Sequence, residues 1–340
     1  MEQSEMKGFV EPSEGAGSAG EVECIVPFDF SEPARRALRW AFAIAGSARG
    51  GMKVAVVHAI EPTALAESDE FTALLEARAR ERLLAECDAL APRGLRDGVP
   101  FERECRVSDP VELVRSRVAR ANEALVVVGD RGLGAVGRAV LGSTTDRLLR
   151  EIDCPMLVAR GEPEKGTRPI RSLLVATDFS RDARAALEAA RLLCRADMDA
   201  DARGPVRVEL VHVVFPAPLL EVGERAGMTA TPMPTPAAGR ELPPAEVAAG
   251  EAALARALED AASAFKSAVG DAAVEVSTRV ERGDLLHAVA REAERAHASV
   301  VVLGRHPVGI LERILTGSTA ERVVHASRRS VLTARAPASR

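Results

Sequence analysis

The chain contains no tyrosine and a single tryptophan, Trp40, and aromatic residues make up 3% of its 340 positions. Aromatic platforms of the kind on which single-stranded bases stack are therefore not available. Positive charge is not in excess either. Lys and Arg number 45 against 50 Asp and Glu, a formal net charge of −5, whereas a nucleic-acid binder needs a basic face. The five cysteines, Cys24, Cys87, Cys105, Cys154 and Cys194, form no CxxC pair or other metal spacing. They read as reduced thiols packed as small apolar residues. No apolar run approaches the roughly eighteen residues that span a bilayer. Residues 1–20 are polar and acidic, with Gly, Ser and Pro, and lack the basic start and apolar core of a signal peptide. A disordered tail is expected there, and a cytoplasmic protein with no membrane or nucleic-acid partner. No Gly-x4-Gly-Lys-Ser/Thr run supplies a P-loop lysine, and no Gly-x-Ser-x-Gly elbow marks a hydrolase. His287, His297, His306 and His325 show no HxxxH spacing, so no metal site is expected.

What the chain does contain is a repeat. Gly129-x2-Gly132-x9-Gly142-Ser143-Thr144 recurs as Gly304-x2-Pro307-x9-Gly317-Ser318-Thr319, at a constant offset of 175 residues (129 to 304, 142 to 317). Each copy follows a short apolar run and precedes a stretch with helical spacing. A strand, a glycine loop and a helix in that order present backbone N–H groups to a phosphate. Gly142 permits close backbone approach, and Ser143 and Thr144 are expected to cap the following helix and to donate hydroxyls. Arg131 is a candidate to reach phosphates, with a solvated surface arginine as the default alternative.

The order of elements repeats as well. Val22–Phe28 reads as a buried strand stopped by Asp29-Phe30-Ser31. Ser31 is a helix cap, and Pro33 sits where a first-turn proline is tolerated. Ala34, Ala37, Leu38, Ala41, Phe42 and Ala45 form one apolar helical stripe. A strand at Val54–His58 follows, then a charged helix over about 71–90, a strand over 99–107 and a helix over 110–121. The strand at Ala124–Val128, the glycine loop, a helix over 144–152 and a strand over 155–159 complete the unit. In the second half, Ser172–Thr177 with Asp178-Phe179-Ser180 parallels the first strand and turn. Ala183, Ala186, Leu187, Ala190 and Cys194 reproduce the stripe, and Val208–His212 parallels the second strand. The offset grows from 149 (Asp29 to Asp178) to 154 (His58 to His212) and then 175, so about twenty extra residues follow that strand. They fall within 215–250, where seven prolines forbid a continuous helix. An exposed, partly disordered loop is expected, with a helix resuming near Ala245.

Strands alternating with helices imply βαβ crossovers and a parallel sheet with helices on both faces. Ligands bind such sheets beyond the carboxyl ends of the strands, near the switch point of strand order. Asp29, His58 and the Gly129 loop all follow strand ends, as do Asp178, His212 and the Gly304 loop. A competing reading is the dinucleotide fingerprint at Gly132-x-Gly134-x-x-Gly137. It lies after the fourth strand, not the first, and the next strand ends at Arg160 where an acidic ribose ligand is needed. His58 and His212, at equivalent strand ends, read as structural.

Asp29 after the first strand, His58 after the second and Gly-x2-Gly-x9-Gly-Ser-Thr after the fourth resemble the ATP-binding class of universal stress proteins. The Cys154-Pro155-Met-Leu-Val ending is also similar to that family's last strand. The resemblance covers both halves and implies an α/β tandem form: two domains, each a five-stranded parallel sheet of order 3-2-1-4-5 with helices on both faces. The domains would span 21–161 and 170–336, joined by a linker at 162–169. In that family the aspartate meets the adenosine end of ATP, the residue after the histidine contacts adenine through its backbone, and the glycine loop wraps ribose and phosphates. By position the resemblance assigns these roles to Pro27, Asp29, Ala59, Gly129, Arg131, Gly132, Gly142, Ser143 and Thr144. The weaker second set is Asp178, Val213, Gly304, Gly317, Ser318 and Thr319, weaker because Pro307 stands in place of Gly132.

The expectation is an ATP-binding regulatory protein, with or without Mg2+, acting through an unidentified protein partner and carrying no catalytic residue. Weak ATP hydrolysis and a nucleotide-free scaffold are the alternatives. The family's dimers pair through their last strands, so an intramolecular pseudo-dimer through Pro155–Ala159 and Val331–Ala334 is expected, with homodimerisation as a further option. Pairing would satisfy strands that otherwise present an open edge.

Overall fold

The computed structural model describes residues 22–48, 51–61, 69–91, 99–130, 141–163, 169–195, 204–214, 244–270, 274–305 and 319–336. The tail at 1–20, most of the proline-rich insertion and both glycine-loop interiors lie outside them. Two compact units divide between Pro163 and Glu164. The first runs β1 (Val22–Pro27), α1 (Glu32–Ser47), β2 (Met52–Ile60), α2 (Asp69–Leu90), β3 (Phe101–Val107), α3 (Pro110–Val118), β4 (Glu123–Gly129), α4 (Ser143–Glu151) and β5 (Met156–Ala159). The second runs β6 (Ser172–Ala176), α5 (Arg181–Arg195), β7 (Val206–Val214), α6 (Pro244–Val269), β8 (Val274–Arg282), α7 (Leu285–Arg295), β9 (Val300–Gly304), α8 (Thr319–Ala326) and β10 (Ser330–Ala334).

Each unit is a parallel five-stranded sheet. In the first, β1 lies between β2 and β4, with β3 outside β2 and β5 outside β4. The second has the same order, with β6 between β7 and β9, β8 outside β7 and β10 outside β9. This is the order 3-2-1-4-5 twice over. The chain steps outward on one side of β1 and then returns to build the other side. Right-handed crossovers therefore place α1 and α2 on one face and α3 and α4 on the opposite one. Strands covered on both faces read as unbroken apolar runs, and Cys24, Ile25, Val26, Leu125, Val126 and Val127 are all fully buried.

The apolar stripe of α1 is buried along its whole length, and Trp40 and Ile44 join it. Trp40 Nε1 donates to the Gly161 carbonyl at 3.1 Å, which satisfies the one polar atom of a buried indole. In the second unit Ala183, Ala186, Ala190 and Cys194 are buried and Leu187 is half-buried. Several ends differ from expectation by a residue or more. Helix α3 stops at Val118, not 121, and β3 starts at Phe101, not 99. Helix α6 starts at Pro244, a position where the missing N–H costs nothing.

One polar cluster lies inside this apolar frame. Arg117 on α3, 6% exposed, reaches down to the sheet. Its guanidinium pairs with Glu23 of β1 and Glu102 of β3, and with Glu104 of β3 at 3.4 Å. Lys53 of β2 adds a contact of 3.0 Å to Glu23. Burial alone would discourage the Arg117 charge, but the Glu23 and Glu102 carboxylates outweigh it and raise its pKa. Removing one member of such a group strands the remaining charges out of water. Arg117→Ala is expected to cost the first unit about 3–5 kcal/mol, read as an earlier first-unit transition in urea.

Candidate functional site

The carboxyl edge of the first sheet is shaped by β1 ending early. Its last strand residue, Pro27, is half-buried and registers with Val57, whereas β2 continues to Ile60. The Phe28 N–H takes the Val57 carbonyl at 2.9 Å and the Ser108 N–H takes the Ile60 carbonyl at 3.1 Å. Along a strand in a parallel sheet, successive residues direct their main-chain groups to opposite neighbours. Val57 faces β1 and Ile60 faces β3, so Ala59 turns its N–H and C=O toward the side that β1 has left. Val213 stands in the same relation to β6, since the Val211 carbonyl accepts from the Thr177 N–H at 2.9 Å.

The turn after β1 is built by its own residues. Asp29 Oδ1 accepts from the Ser31 N–H at 3.0 Å, and Ser31 Oγ accepts from the Ala34 N–H at 3.2 Å as the cap of α1. Between them Phe30 adopts a φ of 64°. The second unit repeats each feature: Asp178 Oδ1 accepts from Ser180 N–H at 2.9 Å, Ser180 Oγ from Ala183 N–H at 3.1 Å, and Phe179 has a φ of 61°. Each aspartate thus holds a tight turn, whatever else it meets.

His58 ties this turn to β2. Its Nδ1–H donates to the Phe28 carbonyl at 2.7 Å, and its ring meets Phe30 edge-on with centroids 4.7 Å apart. His212 donates likewise to the Thr177 carbonyl at 2.8 Å. Burial lowers the pKa of both rings, against the pull of the carbonyl bonds and of Asp29 or Asp178. Both are structural, as their placement in the sequence suggested.

Gly129 ends β4, and its absent side chain has a cause within the fold. A Cβ there would lie 2.6 Å from the Pro33 backbone, so the first turn of α1 rests directly on this residue. Gly304 is the same: a Cβ would lie 2.6 Å from Asp182 at the start of α5. Asp130 follows, buried, with Arg36 at 3.3 Å and Arg160 at 3.7 Å. Its carbonyl accepts from the Gly142 N–H at 3.1 Å. The glycine loop is therefore closed at its base.

The expectation for the start of α4 needs correcting. Gly142 occupies the cap position, and no side chain caps the helix. Ser143 and Thr144 are the first two helical residues, exposed and half-buried respectively. Gly142 can close the loop because its extended conformation (φ −63°, ψ 144°) delivers both the N–H to Asp130 and a carbonyl to Asp146. The N–H groups of Ser143, Thr144 and Thr145 have no acceptor within the helix. The hydroxyl with a structural task is Thr145, absent from the sequence reading, which donates to the Gly129 carbonyl at 2.9 Å. Arg131, Gly132, Gly317, Ser318 and Pro307 lie outside the described residues, and Thr319 begins α8. Asp130, Arg36 and Arg160 also escaped the sequence reading. Only the position of Asp130, directly after a strand-ending glycine, could have pointed to them.

Two doubly wound α/β units in tandem, each with an aspartate turn, a shortened central strand and a strand-ending glycine, define a duplicated α/β protein. The chain belongs to the universal stress protein family, whose model matches residues 23–160 and again 169–335. It is 26% identical to a universal stress protein of Mycolicibacterium smegmatis, over 94% of this chain and 98% of that one. A Thermus aquaticus protein, described as a universal stress protein in the QAH/OAS sulfhydrylase 3′ region, is 35% identical over 140 residues, 40% of this chain and 96% of its own. In fold, the chain is similar to a universal stress protein from Archaeoglobus fulgidus (TM-score 0.57, 18% identity, 93% of this chain and 97% of that one). Among the described residues no helix is long and apolar enough to cross a membrane, and no cluster of His, Cys, Asp and Glu is suited to a metal.

Two outcomes follow from this geometry. Gly129→Ala forces a methyl group into the Pro33 backbone and is expected to destabilise the first unit by about 1–3 kcal/mol, measured by thermal denaturation. The histidines give a pH dependence of defined sign. Their folded pKa lies below the unfolded value of roughly 6.5, so their contribution to stability is complete above that pH and is lost as pH falls through the folded pKa. Thermal scans between about pH 7.5 and 5 should show a decline that is shallower in His58→Gln and His212→Gln.

Proposed function

We propose that the first unit binds ATP and that occupancy regulates the stability of the protein and its affinity for a protein partner. The observation that carries this reading is a convergence at one sheet edge. The Asp29 turn, the main chain of Ala59 and the first turn of α4 all lie at the carboxyl edge of the first sheet, with the loop closed between Asp130 and Gly142. An adenine edge pairs a donor with an acceptor, which one residue's N–H and C=O can match. A carboxylate accepts from ribose hydroxyls, and N–H groups at a helix start donate to phosphate oxygens. Ser143 and Thr144 would add hydroxyls, with Arg131 and the backbone of Gly132 completing the loop. A Mg2+ ion would travel on the nucleotide's own phosphates.

The same residues favour binding over turnover. His58 ties the turn to β2 through the Phe28 carbonyl and packs against Phe30, which gives it a structural task. Asp130 is bracketed by two arginines. Among the described residues at the loop base, the Asp130 carboxylate is thereby engaged in ion pairs instead of being presented to a phosphate-attacking water. In the second unit the Asp178 turn and the Val213 backbone recur, but Pro307 fixes φ and removes one N–H from the loop. Loss of one charge-assisted bond costs roughly 1.5–3 kcal/mol, or about 10- to 150-fold in affinity.

Calorimetric titration with ATP should therefore find one strong site, abolished by Gly142→Arg and retained in Gly317→Arg. At ATP about 100-fold above its Kd, the first-unit transition should rise by on the order of 5–10 °C. A melting curve unmoved by millimolar ATP would refute the binding reading and leave the scaffold. Steady-state hydrolysis near 1 s⁻¹ that Gly142→Arg abolishes would establish an enzyme instead.

A further inference from the structure

The two units match residue for residue in strand register, yet the charge at one buried helix position and on the strand beneath it is reversed. Asp109 caps α3 and Asp284 caps α7, and each helix follows its cap at the same spacing. Eight residues after the cap stands Arg117 in the first unit and Glu292 in the second, 6% and 2% exposed. On the strand beneath, Val57 registers with Glu104 and Ala59 with Arg106. At the corresponding places Val211 registers with Arg279 and Val213 with Glu281. Every one of these positions has changed sign.

Each arrangement is complete in itself. Arg117 sits among Glu23, Glu102 and Glu104, and Glu104 also takes Arg106 and Arg120 at 2.9 Å each. Glu292 sits among Arg295 at 2.6 Å, Arg291 at 3.2 Å and Arg279 at 3.4 Å, and Arg279 reaches Glu209 at 3.0 Å. A second reversal marks the loop bases, where buried Asp130 in one unit corresponds to buried Arg305 in the other. Changing one residue at a time would at some step leave a buried charge without its partner, which is strongly disfavoured.

We propose that this opposite polarity is an address: it lets each sheet accept its own crossover helix and reject the equivalent helix of the other unit, within one chain or from a second copy. Exchanged helices would set Arg117 against Arg279, or Glu292 against Glu23, Glu102 and Glu104. The second sets a buried carboxylate among three others, and the first sets a buried guanidinium beside Arg279, which already engages Glu209, whereas the apolar contacts of two similar folds alone offer little discrimination. Tandem units of like fold are prone to such misassembly.

The test compares refolding of full-length chains from denaturant. One variant gives the second unit the first unit's signs (Ser172→Glu, Ser277→Glu, Arg279→Glu, Glu281→Arg, Glu292→Arg). Another does the reverse (Glu23→Ser, Glu102→Ser, Glu104→Arg, Arg106→Glu, Arg117→Glu). A third carries both sets, so its units differ again. Either matched chain should yield at least about threefold more misassembled, concentration-dependent oligomer than wild type by size-exclusion chromatography. The third should refold as cleanly as wild type. Matched chains that refold like wild type overturn the proposal. So does a third chain no better than either matched one, because the damage is then local and not a matter of addressing.

Discussion

A central strand that stops short of its neighbour governs the carboxyl edge of each sheet. Because β1 ends at Pro27 while β2 runs to Ile60, the main chain of Ala59 is turned to a place no strand occupies. Strand order reverses at this same strand, so α1 leaves on one face and α4 on the other. That divergence is what opens a crevice in doubly wound sheets. Asp29 and Ser31 make the abrupt exit possible by satisfying N–H groups that the strand no longer serves. His58 then anchors the exit to β2 through the Phe28 carbonyl.

The close fit of helix to strand follows from the same exit. Helix α1 starts so soon after β1 that its first turn lies on the end of β4, and only a residue without a side chain fits beneath it. Thr145 then fastens α4 to that carbonyl. The edge is thus a chain of dependent contacts from Asp29 through Pro33 and Gly129 to Thr145. A ligand there would meet groups already held in place, which reduces the ordering cost of binding.

Much of this was legible in the sequence, for reasons that can be named. The alternation of apolar runs with helical stripes fixed the element order, and the Ala34-to-Ala45 stripe is buried as its spacing required. Ser31 was readable as a cap because its bond is local. What escaped depends on residues far apart in the chain. The packing role of Gly129 needs Pro33, the burial of Asp130 needs Arg36 and Arg160, and the Arg117 cluster draws on four elements. Ser143 and Thr144 were misread as caps because a hydroxyl near a helix start is the usual cap. Here Gly142 takes that position and its N–H closes the loop.

The duplication separates folding requirements from functional ones. Aspartate turn, histidine tie and strand-ending glycine occur in both units with the same partners and nearly the same distances. Each has a sufficient cause in the fold, so its presence in the second unit does not by itself argue for a ligand there. The informative positions are those where the units differ while the frame stays constant. Gly132 against Pro307 removes one N–H from the hydrogen-bonding capacity of the loop sequence. Arg117 against Glu292 changes the sign of a buried charge and changes its partners with it, leaving each unit neutralised. The first kind of difference bears on what the loop is able to bind. The second is fully compensated, which directs its consequence away from either unit's own stability and toward how the two halves are told apart.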